Sequence, residues 1–319
     1  MEVNNSFKNE LTAKQCYNER YADGYMEYAD PVKVAKIRIV LKNIKLPKNG
    51  TVLDFGCGSG ALTAILQEEL PDWTVYGTDL SPMALEKAKQ RMPGGIFESF
   101  EECKLRENFF DLIFTHHVLE HVQDIDMIFD DFSHLAKKQS WFLHICPCGN
   151  HGSFEHSLCL LREDGIAPPN NRFFFEDPAH LRRLSTKDIL MLGQKIGFRI
   201  IDEYYSNQYY GALHWISSSH ISFWIEIFNP IKVKGLTNKI KMFLFMSIIM
   251  PVLKISNMIN YIFTLPNPGL KRRIARLLFL PILPIANYFS TLRKANQEWE
   301  TSSKKQNGSE MCIVFKRGE

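Results

Sequence analysis

Val52-Leu-Asp-Phe-Gly-Cys-Gly-Ser-Gly60 runs a short apolar strand into three glycines, and Leu62, Ile65, Leu66 and Leu70 follow at helical spacing. Few folds accommodate that order. Glycines let the backbone turn sharply and approach a ligand closely, and a helix starting there offers it unsatisfied N–H groups. Gly56, Gly58 and Ala61 also satisfy the G-x-G-x-x-G/A dinucleotide fingerprint, so the loop alone leaves the ligand open. The same alternation continues on both sides. Helical spacing covers 31–44, and strands are expected over 51–55, 73–78, 96–100, 109–115 and 141–146. A helix begins at Pro82 behind a Ser81 cap, and another covers 125–136. After Cys146 the alternation pauses for about forty residues, too many for a simple connector. It resumes with a helix over 186–196 and a strand over 198–205, and a closing strand is expected over 311–316. Such a chain builds an α/β fold, a doubly wound and mostly parallel sheet with helices on both faces.

Charge divides the chain. The net +3 of the 319 residues argues against a nucleic-acid partner on bulk charge. Between 207 and 309, however, thirteen Lys and Arg stand against three acids, a net of +10, which leaves −7 for the remainder. The expected organisation is therefore a main domain over 1–206, a basic and apolar helical insertion over 207–309, and the closing strand of the main sheet over 310–319. Seven scattered cysteines are not a disulfide framework, and the polar start at Met1 to Glu10 has no apolar core of a secretory signal. A reducing cytoplasm is the expected compartment.

Three features narrow the ligand. Asp54 stands two residues before the first glycine, Gly60 extends the loop to G-x-G-x-G, and Asp79 ends the second strand, where a carboxylate can accept both hydroxyls of a ribose. Together with Val75-Tyr-Gly-Thr-Asp79 and Phe110-Asp-Leu-Ile-Phe-Thr-His-His-Val-Leu-Glu-His-Val122, the loop resembles class I S-adenosylmethionine-dependent methyltransferases. The likeness covers about residues 17–205 and the final strand, and it is specific to the superfamily but not to a substrate. It implies a seven-stranded sheet whose last strand runs antiparallel beside the sixth, and S-adenosyl-L-methionine as cofactor. By the same resemblance Asp54, Gly56, Cys57, Gly58 and Gly60 would hold the methionine part, Asp79 the ribose, and Leu80 the adenine. Ser99 and Phe100 occupy the adenine edge, where many relatives carry Asp and a small residue. Thr115 and His116 would line the methyl-donor side, and Tyr21 and Tyr25 resemble an aromatic segment that folds over the cofactor in some relatives; simple packing is the alternative. A nicotinamide-dependent oxidoreductase is the rival enzyme class, opposed by Asp54, Gly60 and the block from Phe110 to Val122. A cofactor-binding, membrane-associated protein without turnover is the other alternative.

An acceptor that loses a proton needs a base, and histidine serves near neutral pH. His151 and His156, with Glu155 between them, lie in the long connection where α/β sites open, and they are the expected acceptor-side residues; a polar loop of solvated histidines is the alternative. His121 is expected to be structural. Cys146, Cys148, His151, His156 and Cys159 invite a zinc reading, but C-x-C is not the usual C-x(2–4)-C, and no metal is expected. Arg172, Arg182 and Arg183 could grip an anionic acceptor or serve as surface charges. The expected reaction is O-methylation of a sugar, a lipid-linked intermediate or another small molecule. The apolar runs at 242–250 and 277–286 are each shorter than the roughly twenty residues of a spanning helix, and Pro251 interrupts the first. Flanked by Lys271, Arg272, Arg273 and Arg276, they suit contact with an anionic membrane surface; a substrate cap or a homodimer interface would bury the same side chains.

Overall fold

A computed structural model describes residues 10–168, 170–264 and 269–318. Of the polar start at Met1 to Glu10, all but Glu10 lies outside the described residues. The strands are β1 (Gly50–Phe55), β2 (Trp73–Thr78), β3 (Ile96–Glu98), β4 (Phe110–His116), β5 (Ala136–Pro147), β6 (Ile166–Ala167), β7 (Arg172–Phe173), β8 (Phe198–Ser206) and β9 (Glu310–Arg317). Seven of them form one sheet in the order β3-β2-β1-β4-β5-β9-β8, while β6 and β7 pair by themselves. The pairs β1–β2, β1–β4, β2–β3 and β4–β5 are parallel. Gln139 N donates to Gly318 O and Cys148 N to Ser309 O, so β9 runs antiparallel to β5, as the resemblance implied. The order reverses direction between β1 and β4, the switch point at whose carboxyl ends such sheets bind ligands.

The backbone contacts divide the chain into two compact units. Among the described residues, one comprises 10–147, 178–203 and 312–318, and the other comprises 148–177 and 204–311. The second unit thus takes in residues 148–177, which the sequence reading placed with the main domain. Local charge patterning gives no sign of that boundary, because the long connection after β5 is not itself basic.

The sheet unit is held by aromatic packing. Phe142 on β5 lies 5.1 Å from Phe132, 5.7 Å from Phe129 and 6.0 Å from Phe315, and all four are buried. Helix starts are capped as the residues dictate: Ser81 accepts from Ala84 N with Pro82 behind it, and Asp124 accepts from Met127 N. The third strand is shorter than expected. It stops at Glu98 because Ser99 forms a capping box with Glu102 and starts the short helix Phe100–Cys103.

The second unit has its own core of Leu158, Phe173, Phe174, Ile216, Trp224, Ile227, Phe228, Met242 and Met250. Here the sequence reading needs a correction. Helix continues from Leu236 to Thr264 without ending at Pro251. A π-helical stretch, Phe245–Ile249, precedes the proline; such a bulge relieves the ring's clash with the preceding turn and its missing N–H. Six of the seven cysteines are buried, where they act as small hydrophobes.

Candidate functional site

Beyond β1 the backbone turns left-handed at all three glycines, with φ of 78° at Gly56, 54° at Gly58 and 77° at Gly60. L side chains resist this region, so the sequence pattern and the loop geometry have one cause. Gly56 N and Cys57 N both donate to Thr78 O, at 2.8 and 2.9 Å, which ties the loop to the end of β2. Gly60 caps the helix Ala61–Glu69 without a side chain, and Cys57 is buried beneath the loop. Asp54, 2% exposed, accepts a 2.6 Å bond from Thr63 Oγ1 in that helix. Burial pushes its carboxyl up to about 7 against that hydrogen bond. Asp54 therefore braces the loop from below.

Asp79 sits at the carboxyl end of β2 and faces the loop. Its Oδ2 accepts from Gly58 N at 2.9 Å and its Oδ1 from Ser81 N at 2.9 Å. These bonds aim the carboxylate and leave each oxygen a further lone pair, which suits a ribose diol. Burial raises its pKa to about 6, while the two backbone N–H groups pull the other way. Tyr21, from the helix Glu10–Ala22, covers the loop: a Cβ on Gly58 would stand 2.7 Å from its hydroxyl. Burial, then the Asp79 charge, keep that phenol protonated. Tyr25 meets Tyr21 edge-on at 5.5 Å. Leu80 packs with Cys16, Tyr17, Ala13 and Ala179. A cradle without Cβ atoms, a diol-ready carboxylate and an aromatic cover fit S-adenosylmethionine.

Other expected residues fall differently. Ser99 is exposed and directs its hydroxyl to Glu102 Oε2 at 2.7 Å, and Phe100 packs 4.9 Å from Phe55. Thr115 is fully buried, and its Oγ1 lies 2.5 Å from His144 Nδ1, so its hydroxyl points into the sheet unit. Burial lowers the His144 pKa to about 4, which keeps the ring neutral. His116 lies at the end of β4 with its ring 4.6 Å from that of His117. His117 takes a left-handed φ of 54°, uncommon for a residue with a side chain. Its Nδ1 stands 3.1 Å from Oε1 of Glu120, which is 1% exposed. Although burial opposes it, the surrounding His117, His121 and His180 hold the Glu120 carboxyl far below the usual range. The turn from Ala179 to Leu181 brings His180 back beside Glu120 and His121.

His151, Glu155 and His156 belong to the second unit. The His151 and His156 rings stack at 4.5 Å, with His151 exposed and His156 buried. Glu155 is 3% exposed and accepts from Trp215 Nε1 and Ser309 Oγ, both at 2.7 Å. That carboxylate is committed to holding its own unit together, which leaves His151 as the accessible member of the three. Arg172 is buried with Nη2 on Asp177 O. Arg182 donates to the carbonyls of Val122 and Gln123 and so fastens the turn after Glu120.

Comparison with known proteins gives the family. A family model described as a methyltransferase domain matches residues 25–203. A trans-aconitate 2-methyltransferase of Methylobacterium nodulans is 33% identical over 97 residues, covering 30% of this chain and 37% of that protein. A malonyl-[acyl-carrier protein] O-methyltransferase of Acetivibrio thermocellus is 25% identical over 169 residues, 50% of this chain and 59% of that one. The chain thus spans less than two thirds of either relative. The solved structure of a Haemonchus contortus phosphoethanolamine N-methyltransferase 2, bound to S-adenosylhomocysteine, superposes with a TM-score of 0.50 at 14% identity, over 100% of this chain and 62% of that one. It shows a shared fold.

Proposed function

The chain belongs to the class I S-adenosylmethionine-dependent methyltransferases, and on that premise we propose that its acceptor is an oxygen of a lipid-linked or membrane-associated small molecule. The helices of the second unit carry this reading. Leu236–Thr264 and Leu270–Ser302 are 29 and 33 residues long and apolar enough to cross a membrane, and only 28% and 17% of their most apolar windows are buried. Phe243, Ile255, Leu277, Leu278, Ile285 and Tyr288 are all more than half exposed. Exposed apolar side chains in such density favour lipid over water. Lys271, Arg272, Arg273 and Arg276 stand together ahead of the second apolar run as the basic group for an anionic headgroup. The O-methyltransferase among the relatives supports oxygen as the acceptor atom.

Methyl transfer from a sulfonium is an in-line displacement, and holding donor and acceptor in line supplies much of the rate. When bound, the cofactor would supply an electrophilic methyl group and a neutral sulfide leaving group, so the acceptor oxygen would need no further activation of the donor. Asp79 and the glycine loop of the sheet unit would hold the donor.

Two results are expected. Vesicles containing phosphatidylglycerol should carry the protein to the top of a density gradient at low salt. Changing Lys271, Arg272 and Arg273 together to Gln should weaken that flotation, and absence of flotation under every condition would return the apolar helices to a protein partner. Separately, His151→Ala should lower turnover on the native acceptor by about 100-fold, the scale of general-base catalysis, with cofactor affinity unchanged. Wild-type turnover in that variant would place the base elsewhere.

A further inference from the structure

We propose that Glu120, His121 and His180 form a binding site for a divalent first-row transition-metal ion at the end of β4. One carboxylate oxygen and one ring nitrogen from each histidine lie within 4.8 Å of one another. Ligands about 2.1 Å from a tetrahedral ion are about 3.4 Å apart, so small side-chain rotations close the set. Two imidazoles and one carboxylate are the donor set of open zinc and iron sites, where one or more positions remain for water or a substrate oxygen.

The surroundings prepare these ligands. His121 Nδ1 is 3.1 Å from Ala179 O, a carbonyl that can only accept; with the proton on Nδ1, the lone pair rests on Nε2. Metal-binding histidines are typically oriented by this kind of bond. Tyr17 Oη lies 3.1 Å from the same nitrogen. Lys33 Nζ stands 3.3 Å from His117 Nε2 and can only donate, which puts the His117 proton on Nδ1, facing Glu120 Oε1. Glu120 Oε2 is buried and has no hydrogen-bond partner among the described residues. A buried carboxylate oxygen left in that state is costly unless something binds it. The left-handed His117 lies within the same turn, and Leu181 N bonds Glu120 O at 2.8 Å, so the turn bearing His180 is fastened beside the carboxylate. Backbone strain of this kind gathers at ligand sites.

The C-x-C spacing that argues against a metal concerns Cys146, Cys148, His151, His156 and Cys159, none of which belongs to this group. The site stands on its own three side chains and does not depend on which acceptor is methylated. Full-length protein stripped with chelator should take up one equivalent of Co2+, with visible d–d absorption, and Zn2+ should displace it. His180→Ala and Glu120→Gln should each weaken Co2+ uptake by at least about tenfold, the loss seen even for outer-shell changes at such sites. S-adenosylhomocysteine titration of each variant reports whether it is folded; if Glu120→Gln is not, His180→Ala, on a half-buried turn, decides the matter. Failure of Co2+, Zn2+ and Mn2+ to bind stoichiometrically, or equal uptake by wild type and His180→Ala, would overturn the proposal while leaving the methyltransferase assignment intact.

Discussion

Asp79→Ala is expected to raise the dissociation constant for S-adenosylmethionine by about 30- to 1,000-fold, from the loss of roughly 2–4 kcal/mol in charge-assisted hydrogen bonds. The fold should survive, because the sheet core around Phe142 and Phe132 does not involve this side chain. Some stability should be lost, since Gly58 N and Ser81 N both lose their acceptor. Asp79→Asn should fall between the two, keeping one acceptor oxygen and losing the charge. The pH dependence follows from the carboxyl's raised value of about 6. Only the ionised form offers both oxygens as acceptors, so affinity should be full above that pH and decline as pH falls through it. Asp79→Asn should flatten the decline. Calorimetric titration from pH 5 to 8 measures all three proteins, and equal affinity for wild type and Asp79→Ala would remove Asp79 from the site.

Gly56→Ala should lower the free energy of unfolding by about 2–4 kcal/mol, adding overpacking to the cost of a left-handed alanine. The new Cβ would stand 2.3 Å from Val118 Cγ2, and the backbone φ of 78° disfavours any side chain. The two contributions can be separated. In the Gly56→Ala background, Val118→Ala should recover the steric part and leave about 1–2 kcal/mol for the backbone. Urea unfolding of the set gives these differences. A single variant within about 0.5 kcal/mol of wild type, the range of ordinary surface changes, would mean the loop is not the tight cradle described.

Much of this architecture can be read directly from residue patterns. The loop glycines lie where the backbone is left-handed, and Asp54 and Asp79 end adjacent strands, so local chemistry and fold point to the same place. Strand limits were less legible. Ser99 reads as the continuation of an apolar strand until Glu102 is seen as its capping partner, and that signal was present in the sequence. The course of the helix through Pro251 was not, because a π-helical adjustment has no simple residue signature. Thr115 and Glu155 were read as ligand-facing polar groups. Each instead meets a partner distant in the chain, His144 for one and Trp215 and Ser309 for the other. Glu120 as the carboxylate shared by His121 and His180 was hidden for the same reason, since only the folded turn from Ala179 to Leu181 brings His180 back beside β4.

The most direct measurement is a calorimetric titration of the full chain with S-adenosylhomocysteine and, separately, with NAD. Both cofactors carry an adenosine ribose that a strand-end carboxylate can hold, so the comparison tests the whole loop and not Asp79 alone. One equivalent of S-adenosylhomocysteine bound at micromolar concentration, with no heat from NAD, is the expected result. Saturable NAD binding without S-adenosylhomocysteine binding would contradict the assignment of this site.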